Sequence, residues 1–235
     1  MFSPLIGRRA CLKLIAASVM GPDWSYSGDA GPSRWAELSA RYHTCGDGQR
    51  QSPVDIDIST AVEAPVAFNY RPIPIDLSNN GRTVQQTDHG RCHLTLNGTD
   101  YGLLQFHVHT PSEHTHRGRH YPMELHLVHR SSQDLTVVSV WIMPGAEQPE
   151  LARLARLLPP PGQTSRSAVR INPELLLPTD RRLVQYSGSL TTPPCSENVT
   201  WLVMATPIEA SLAQIETFHR RLGNNARPLQ RTSDT

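Results

Sequence analysis

Histidines are concentrated in one stretch of the 235-residue chain. From Leu103 to His129 it reads LLQFHVHTPSEHTHRGRHYPMELHLVH and holds seven of the eleven histidines. His107 and His109 are two residues apart, so in a β-strand both point to the same face, about 7 Å apart at the backbone. His126, in the strand-like run ELHLVH, can supply a third nitrogen. Three neutral imidazoles with an open fourth position are typical of a catalytic zinc site.

Two polar residues strengthen this interpretation. Gln105 shares a strand face with His107, and Glu124 shares one with His126. Each can accept a hydrogen bond from an imidazole and so fix its tautomer. A bare pair of alternating histidines is equally compatible with two partly buried structural side chains. A third alternative is a cupin-like metal site, in which Glu113 would join the first two histidines.

The remaining histidines of the stretch are predicted to have other roles. His114 follows Glu113 and is expected to be buried and hydrogen-bonded rather than a ligand. His116 and His120 lie in a loop bounded by proline and glycine, where solvated side chains are expected. His129 is an odd number of residues from the third candidate ligand, so it points away from the metal face.

The elements that must position these residues are mainly strands. Short runs rich in β-branched and aromatic residues are broken by Gly, Asn, Asp and Pro, which is typical of strands. They span 66–70, 92–98, 103–109, 123–130, 135–142, 181–190 and 199–205. Two runs have helical periodicity, with Leu151, Leu154 and Leu158 on one face of the first and Leu212, Ile215 and Leu222 on one face of the second. The predicted fold is mainly β: a single domain with a large, mostly antiparallel sheet and a few short peripheral helices.

Composition excludes several classes of function. The formal net charge is +1, which does not indicate a nucleic-acid surface. There is no apolar run of about 18 residues, so no membrane-spanning helix is expected. The N-terminal sequence GRRACLK at 7–13, followed by LIAASVM, resembles a twin-arginine export signal. Residues 1–20 are therefore predicted to be an export signal and residues 21–235 the domain, in a periplasmic or secreted protein.

Three cysteines lie beyond the predicted signal. They are Cys45, Cys92 and Cys195, and none has the short paired spacing of a cysteine zinc site. An odd number allows one internal disulfide and leaves a free thiol. Spacing alone does not decide which two are paired.

Seven motifs together resemble the α-class carbonic anhydrases, in the shorter form typical of bacteria. In chain order they are DWSYSGDAGPSRW at 23–35, RQSPVDI at 50–56, LSNNG at 77–81, QFHVHTPSEH at 105–114, YPMELHLVH at 121–129, YSGSLTTPPCSENVTW at 186–201 and NNARPLQ at 224–230. The resemblance extends from Trp24 to about Gln230. It implies a twisted, mostly antiparallel central sheet with a Zn²⁺ ion in a conical cleft.

The resemblance also implies an activity and roles for single residues. The reaction would be the reversible hydration of carbon dioxide to bicarbonate and a proton, by attack of zinc-bound hydroxide. Zinc would be held by the three histidines at 107, 109 and 126, with Gln105 and Glu124 as their partners. Thr191 would accept a hydrogen bond from the hydroxide and donate to Glu113, and Tyr26 would lie near the threonine.

Further positions match the family's cleft. The resemblance implies an apolar patch for carbon dioxide, formed by Val128, Val137, Leu190 and Trp201. It implies a polar side that faces this patch, formed by Thr192 and Gln85. Cys45 and Cys195 match the disulfide of exported members. Arg82 stands where active members often have a proton-carrying histidine; arginine stays protonated at working pH and cannot do this.

Two function classes compete with this prediction. One is a catalytically weak or silent binding module of the same fold, although such relatives typically lack one or more zinc histidines. The other is the cupin-like oxidoreductase or isomerase, which does not need His126. The expected partner is a small molecule, carbon dioxide or bicarbonate, with no nucleic acid and no membrane, and the protein is expected to be a monomer or homodimer.

Overall fold

Strands make up most of the regular structure. The computed structural model describes residues 23–132 and 134–231, and the export signal predicted for residues 1–20 lies outside them. In these residues the strands are β1 (Val66–Asn69), β2 (Ile73–Asn79), β3 (Val84–Thr87), β4 (His93–Leu96), β5 (Thr99–His109), β6 (Thr115–His116), β7 (Arg119–His120), β8 (Met123–Arg130), β9 (Leu135–Pro144), β10 (Thr164–Ile171), β11 (Leu183–Gly188), β12 (Val199–Met204) and β13 (Ile208–Ala210).

Helices are short and lie between or outside the strands. The α-helices are α1 (Trp35–Leu38), α2 (Thr44–Asp47), α3 (Pro149–Ala155) and α4 (Leu212–Leu222). Single 3₁₀ turns occupy Gly28–Ala30, Pro32–Arg34, Ala40–Tyr42, Ile58–Thr60 and Pro173–Leu176. Within the described residues no helix combines the length and apolarity needed to cross a membrane.

One sheet of eleven strands organises the domain. Its main order is β10-β2-β3-β5-β8-β9-β12-β11, with β1, β4 and β13 attached at the side. All pairings are antiparallel except those of β12 and β13 with β9. The predicted fold class, mainly β with a mostly antiparallel sheet, is confirmed.

The two faces of the sheet have different contents. On one face Phe106, Leu125 and Val138 are at most 1% exposed and form the main core, against which Leu151 of α3 and Phe218 of α4 pack. The alternate residues of β5 and β8 point to the other face, because side chains alternate along a strand. That other face carries the candidate site.

Six strands and part of one helix face differ from the sequence prediction. The unpredicted strands are β2, β3, β6, β7, β10 and β13. Pro74 interrupts the signal of β2, β6 and β7 are two residues long each, and β10 is a polar edge strand with an irregular register.

In α4 the prediction is confirmed for Ile215 and Leu222, which pack against the main core. It is wrong for Leu212, which is 68% exposed, and it missed the buried Gln214 and Phe218. The reason is the capping box, in which Gln214 bonds the N-cap Ser211 and turns inward.

His129 lies on the core face, as predicted, and gives the fold an acid-sensitive element. It is fully buried, with Nε2 accepting from the Tyr70 hydroxyl at 2.7 Å and Nδ1 near the carbonyl of Thr136 at 3.3 Å. Burial lowers the pKa of His129 to about 3. In the unfolded chain this imidazole has its ordinary pKa and binds a proton below pH 6.5. In the folded chain it does not bind this proton until the pH approaches 3. Stability is therefore lost as pH falls from 6.5 toward 3.

Replacing His129 with glutamine tests this linkage. Glutamine can keep both hydrogen bonds but does not titrate, so the pH dependence of the unfolding free energy should become shallower. Between pH 5.5 and 4.5 we expect the slope to fall by about 1.4 kcal/mol per pH unit, the value of one proton. Urea unfolding at several pH values measures it. Equal slopes in both proteins would contradict the prediction.

Candidate metal centre

Adjacent strands bring three imidazole rings together on the open face of the sheet. His107 and His109 lie on β5, and His126 lies on β8 directly opposite His107. One ring nitrogen from each lies within 4.8 Å of the others, and the Nε2 atoms of His107 and His109 are 3.0 Å apart. Residues two apart on a strand, and residues opposite each other on paired strands, share a face. The predicted convergence of these nitrogens is present.

The outer nitrogens of the two β5 histidines are bonded to acceptors. His107 Nδ1 donates to Gln105 Oε1 at 2.8 Å, and His109 Nδ1 donates to the backbone oxygen of Asn225 at 2.7 Å. A neutral imidazole has one N–H, so the inward Nε2 of each ring carries a lone pair. Two lone pairs only 3.0 Å apart repel each other. A cation bound to both nitrogens removes this repulsion.

The third ring is fixed from the opposite side. His126 Nε2 donates to Glu124 Oε1 at 2.6 Å, which leaves the lone pair on Nδ1. Burial lowers the pKa of all three rings, to about 4 for His109, and so keeps them neutral at neutral pH. Three neutral nitrogens on fixed tautomers fit a divalent cation of zinc type.

Glu124 is the acceptor at the centre of a buried network. It receives hydrogen bonds from the His126 ring, from the amide and Nδ1 of His114, and from the Ser139 hydroxyl. Burial alone would raise the pKa of Glu124, but the charges and hydrogen bonds of His114 and His126 hold it well below its usual range. His114 is fully buried and its Nε2 lies 2.6 Å from the Tyr186 hydroxyl, which confirms that it is buried and hydrogen-bonded.

A second carboxylate lies on the inner side of the histidines. Glu113 is fully buried, its Oε1 accepts from the backbone amide of Arg227 at 2.8 Å, and its Oε2 lies 3.5 Å from His109 Nε2. Burial raises the pKa of Glu113 to about 7, against the lowering effects of His126, the Arg227 amide and the Thr191 hydroxyl. Among the described residues Oε2 has no well-aligned donor, although Thr191 lies beside it.

The N-terminal aromatic segment reaches the same carboxylate. The rings of Trp24, Tyr26 and Trp35 pack edge to face with centroids 5.1 to 6.0 Å apart. Burial, and secondly the charge of Glu113, raises the pKa of the Tyr26 phenol well above its usual value. Tyr26 is thus close to Glu113, the carboxylate beside Thr191, whereas the sequence prediction was a position near Thr191 itself.

Arg82 holds this segment in place. Its guanidinium carbon lies 4.3 Å from the centroid of the Trp24 ring, and its Nε donates to the backbone oxygen of Trp24 at 2.6 Å. Nη2 forms an ion pair with the exposed Asp23. The residue at the expected proton-carrier position therefore acts as a clasp on the N-terminal segment.

An apolar cluster lies at one side of the histidines. It includes the four residues predicted to line a carbon dioxide patch: Val128, Val137, Leu190 and Trp201. Val137 is paired with Val128 on one side and with Trp201 on the other, and the Trp201 ring centroid is 4.9 Å from that of His126. The structure brings these predicted residues together beside the metal centre.

Polar residues occupy the other side. Gln85 on β3 is directly opposite His107 and is partly exposed. Thr192 follows the buried Thr191 and is also partly exposed. Partial exposure of His107 itself shows that the centre opens to solvent.

A disulfide braces the loop that carries Thr191. Cys45 and Cys195 are bonded, as the resemblance implied, and Cys92 is free and buried. The Cys195 amide donates to the Thr192 carbonyl at 2.9 Å, which ties the bridge directly to the loop.

Two residues of the site were missed from the sequence. Asn225 orients His109, and Arg227 holds Glu113 through its backbone amide. The Arg227 side chain is 2% exposed and donates to backbone oxygens of Ser52 and Cys45. Both residues lie in the motif NNARPLQ. Their contacts with His109 and Glu113 are made by backbone atoms, which every residue has, so residue type does not predict them. The one available signal was Arg227 itself, an arginine within a motif to whose single residues the sequence analysis assigned no role.

The loop histidines depart partly from expectation. His120 is exposed as predicted, yet its Nδ1 lies 2.7 Å from the Ser112 carbonyl. His116 is only partly exposed, and its Nδ1 lies 2.8 Å from the Ile56 carbonyl. The segment forms the small β6–β7 hairpin, and both rings reach backbone carbonyls outside it.

The fold and the site define the class: a mainly β domain whose broad sheet presents three convergent, tautomer-fixed imidazoles that could hold a metal ion. The family model described as eukaryotic-type carbonic anhydrase matches residues 30–234. The chain therefore belongs to the eukaryotic-type, or α-class, carbonic anhydrase family, which is a family of enzymes.

Individual relatives agree with this assignment. A carbonic anhydrase of Nostoc sp. is 40% identical over 99% of this chain and 97% of the relative. The solved α-carbonic anhydrase of Thermovibrio ammonificans, in complex with the inhibitor sulfanilamide, is 44% identical, covers 91% of this chain and 97% of its own, and superposes with a TM-score of 0.87. Dioscorin, solved with ascorbate, is 30% identical over 89% of this chain and 94% of its own, with a TM-score of 0.81.

Proposed function

We propose that the chain is a zinc enzyme that interconverts carbon dioxide and bicarbonate. His107 and His109 would hold the ion through Nε2 and His126 through Nδ1, the nitrogens that carry lone pairs. The convergence of these three nitrogens is the observation that carries the proposal. When bound, zinc lowers the pKa of water to near 7 and so supplies a nucleophile at neutral pH.

Thr191 and Glu113 would orient the attacking oxygen. When Glu113 is ionised it only accepts hydrogen bonds, so the Thr191 hydroxyl beside it donates its own proton to the carboxylate. A cation held by the neighbouring imidazoles would favour this ionised form. The threonine oxygen then has only lone pairs to offer to the nucleophile. The nucleophile must therefore donate its proton to this oxygen, which leaves its own lone pair directed away from the threonine. Glu113 Oε2 has no aligned donor within the described part of the chain, so it is free to accept from the Thr191 hydroxyl beside it.

The apolar cluster would hold carbon dioxide next to the nucleophile. Val128, Val137, Leu190 and Trp201 offer no charge and no strong hydrogen-bond partner to an apolar substrate. Trp201 donates its indole N–H to the Ser189 carbonyl at 3.0 Å, so this polar group is already occupied. Gln85 and Thr192 on the polar side can hold water instead.

Regeneration of the nucleophile releases one proton per turnover, and Arg82 cannot carry it. Replacing Arg82 with histidine should raise kcat in dilute buffer, because an imidazole with a pKa near 6.5 can accept and release a proton at working pH. The same change removes the clasp on Trp24 and Asp23, so limited proteolysis of the N-terminal segment should become faster. Arg82→Gln is the matched control: it loses the clasp without gaining a carrier. A kcat no higher in the histidine variant than in Arg82→Gln would contradict the prediction.

The test of the proposed activity is the initial rate of carbon dioxide hydration by the zinc-loaded protein across a range of buffer concentrations. A fast rate that rises with buffer concentration is expected, with the zinc content measured in the same samples. No rate above the buffer blank with zinc bound would overturn the proposal and favour a silent binding protein.

We also propose that the protein is exported. The Cys45–Cys195 disulfide supports this, since such bonds persist in oxidising compartments. Replacing Arg8 and Arg9 together with lysine should retain the protein in the cytoplasm, because twin-arginine export reads the arginine pair. Cell fractionation measures the distribution, and unchanged export of the variant would contradict a twin-arginine route.

A further inference from the structure

A row of polar side chains on β3 leads from the metal centre toward the edge of the sheet. Gln85 is opposite His107, and Thr87 is opposite Gln105. His89 follows two positions later, and the Asp88 amide between them still bonds to β5, at the Leu104 carbonyl at 3.0 Å. His89 lies just beyond the end of β3, roughly 14 Å along the chain from Gln85. Its contact with Asp76, described next, places its ring on the side of the metal centre.

A carboxylate from the neighbouring strand holds the His89 ring. Its Nε2 lies 2.9 Å from Asp76 Oδ2 on β2, and Asp76 Oδ1 accepts from Arg166 Nε on β10 at 2.9 Å. Ser78, two residues after Asp76, is paired with Gln85, so Asp76 belongs to the same face. These are the charged groups that face His89 from the strands packed against it.

The pair combines an ionised partner with access to solvent. The His89 side chain is 56% exposed and that of Asp76 16%. Burial would raise the pKa of Asp76, but hydrogen bonds from Arg166 and His89 lower it, so the carboxylate is ionised at neutral pH. The carboxylate can only accept, which places the ring proton on Nε2 and leaves Nδ1 of the neutral ring to take up a second proton.

We propose that His89, held by Asp76, is the proton-relay residue through which protons leave the metal centre. The proposal rests on the proposed carbon dioxide hydration, which releases one proton per turnover. Arg82 cannot carry that proton. In the described residues of the polar row next to the metal centre, Gln85 and Thr87 are neutral, and His89 is the first side chain with a ring nitrogen that can accept a proton.

The transfer leaves no net change in the relay. A proton moves along hydrogen-bonded water over Gln85 and Thr87 to Nδ1 of His89. The ring becomes an imidazolium whose Nε2–H still donates to Asp76. Nδ1 then gives its proton to a buffer base or water at the surface, and the neutral ring is restored.

Turnover of His89→Ala in dilute and in concentrated buffer tests the relay. In dilute buffer kcat should fall several-fold while kcat/KM stays unchanged, because proton exit follows the hydration step. Concentrated buffer or added imidazole should restore kcat. His219→Ala, on the exposed last turn of α4, is the matched control and should behave as the parent protein. An unchanged kcat of His89→Ala in dilute buffer would overturn the relay.

A nuclear magnetic resonance measurement on the zinc-loaded protein tests the geometry without turnover. Ring ¹⁵N shifts of His89 should show the Nε2–H form, with protonation at Nδ1. Asp76→Asn should change both the tautomer ratio and the titration midpoint of His89, and should leave the ring signals of the other histidines unchanged. Identical His89 spectra in the parent and Asp76→Asn would overturn the relay geometry. A parent protein that is inactive even in concentrated buffer overturns the proposed function itself, whereas an active parent with an indifferent His89→Ala overturns the relay alone.

Discussion

His126→Ala should lose both its metal and its activity. The variant keeps two ligand nitrogens, on His107 and His109, and loses the one that closes the site from β8. Without zinc no nucleophile is available at neutral pH, so we expect kcat/KM to fall by at least about three orders of magnitude. Zinc content by mass spectrometry and hydration rates by stopped flow measure the two effects on the same samples.

The control lies in the same histidine-rich stretch. His120→Ala removes an exposed imidazole whose Nδ1 contacts only the Ser112 carbonyl, and should keep full zinc content and activity. A His126→Ala protein that still binds one zinc and hydrates carbon dioxide would show that the metal is held elsewhere. Retained metal with a different reaction would favour the cupin-like alternative, which does not use His126.

Thr191→Ala should keep zinc but slow hydration by about 100-fold, the usual cost of removing one oriented hydrogen-bonding group at a reacting oxygen. In the described part of the chain Thr191 makes no hydrogen bond to the three imidazoles, and the rings keep their outer partners, so metal affinity should not change. Thr191→Ser, which retains the hydroxyl, is the matched control and should keep most of the activity. Equal losses in the serine and alanine variants would mean that the hydroxyl has no orienting role.

Glu113→Gln tests the other end of the same chain of hydrogen bonds. An amide can donate to the Thr191 oxygen, which reverses the direction of the threonine proton and removes the orientation of the nucleophile. A protein that combines Glu113→Gln with Thr191→Ala should be about as slow as either single variant, because the two changes abolish the same orientation of the nucleophile. Losses that multiply would show that Glu113 and Thr191 act independently.

Strand alternation made the metal ligands predictable. The spacing of His107 and His109 and the run around His126 determined which rings share a face, and no long-range information was needed beyond the pairing of two strands. The position of His129 on the opposite, core face followed from the same alternation.

Other features depended on contacts that residue type does not encode. Asn225 orients His109 through a backbone carbonyl, which every residue possesses. Strand β10 is an exposed edge, where hydrophobic alternation is absent. The clasp of Arg82 on Trp24 needs the fold to bring two segments 58 residues apart together. Such contacts arise from tertiary packing rather than from local pattern.

The order in which the chain is synthesised has a consequence for assembly of the site. His109 is oriented by a carbonyl 116 residues further along, and Glu113 by an amide 114 residues further along. A nascent chain that has released both strands β5 and β8 from the ribosome therefore still lacks these two constraints. The three imidazoles can come together early, but the tautomer of His109 and the position of the Glu113 carboxylate depend on the segment that follows α4. We therefore expect a ribosome-bound intermediate to hold a metal ion more weakly than the finished chain.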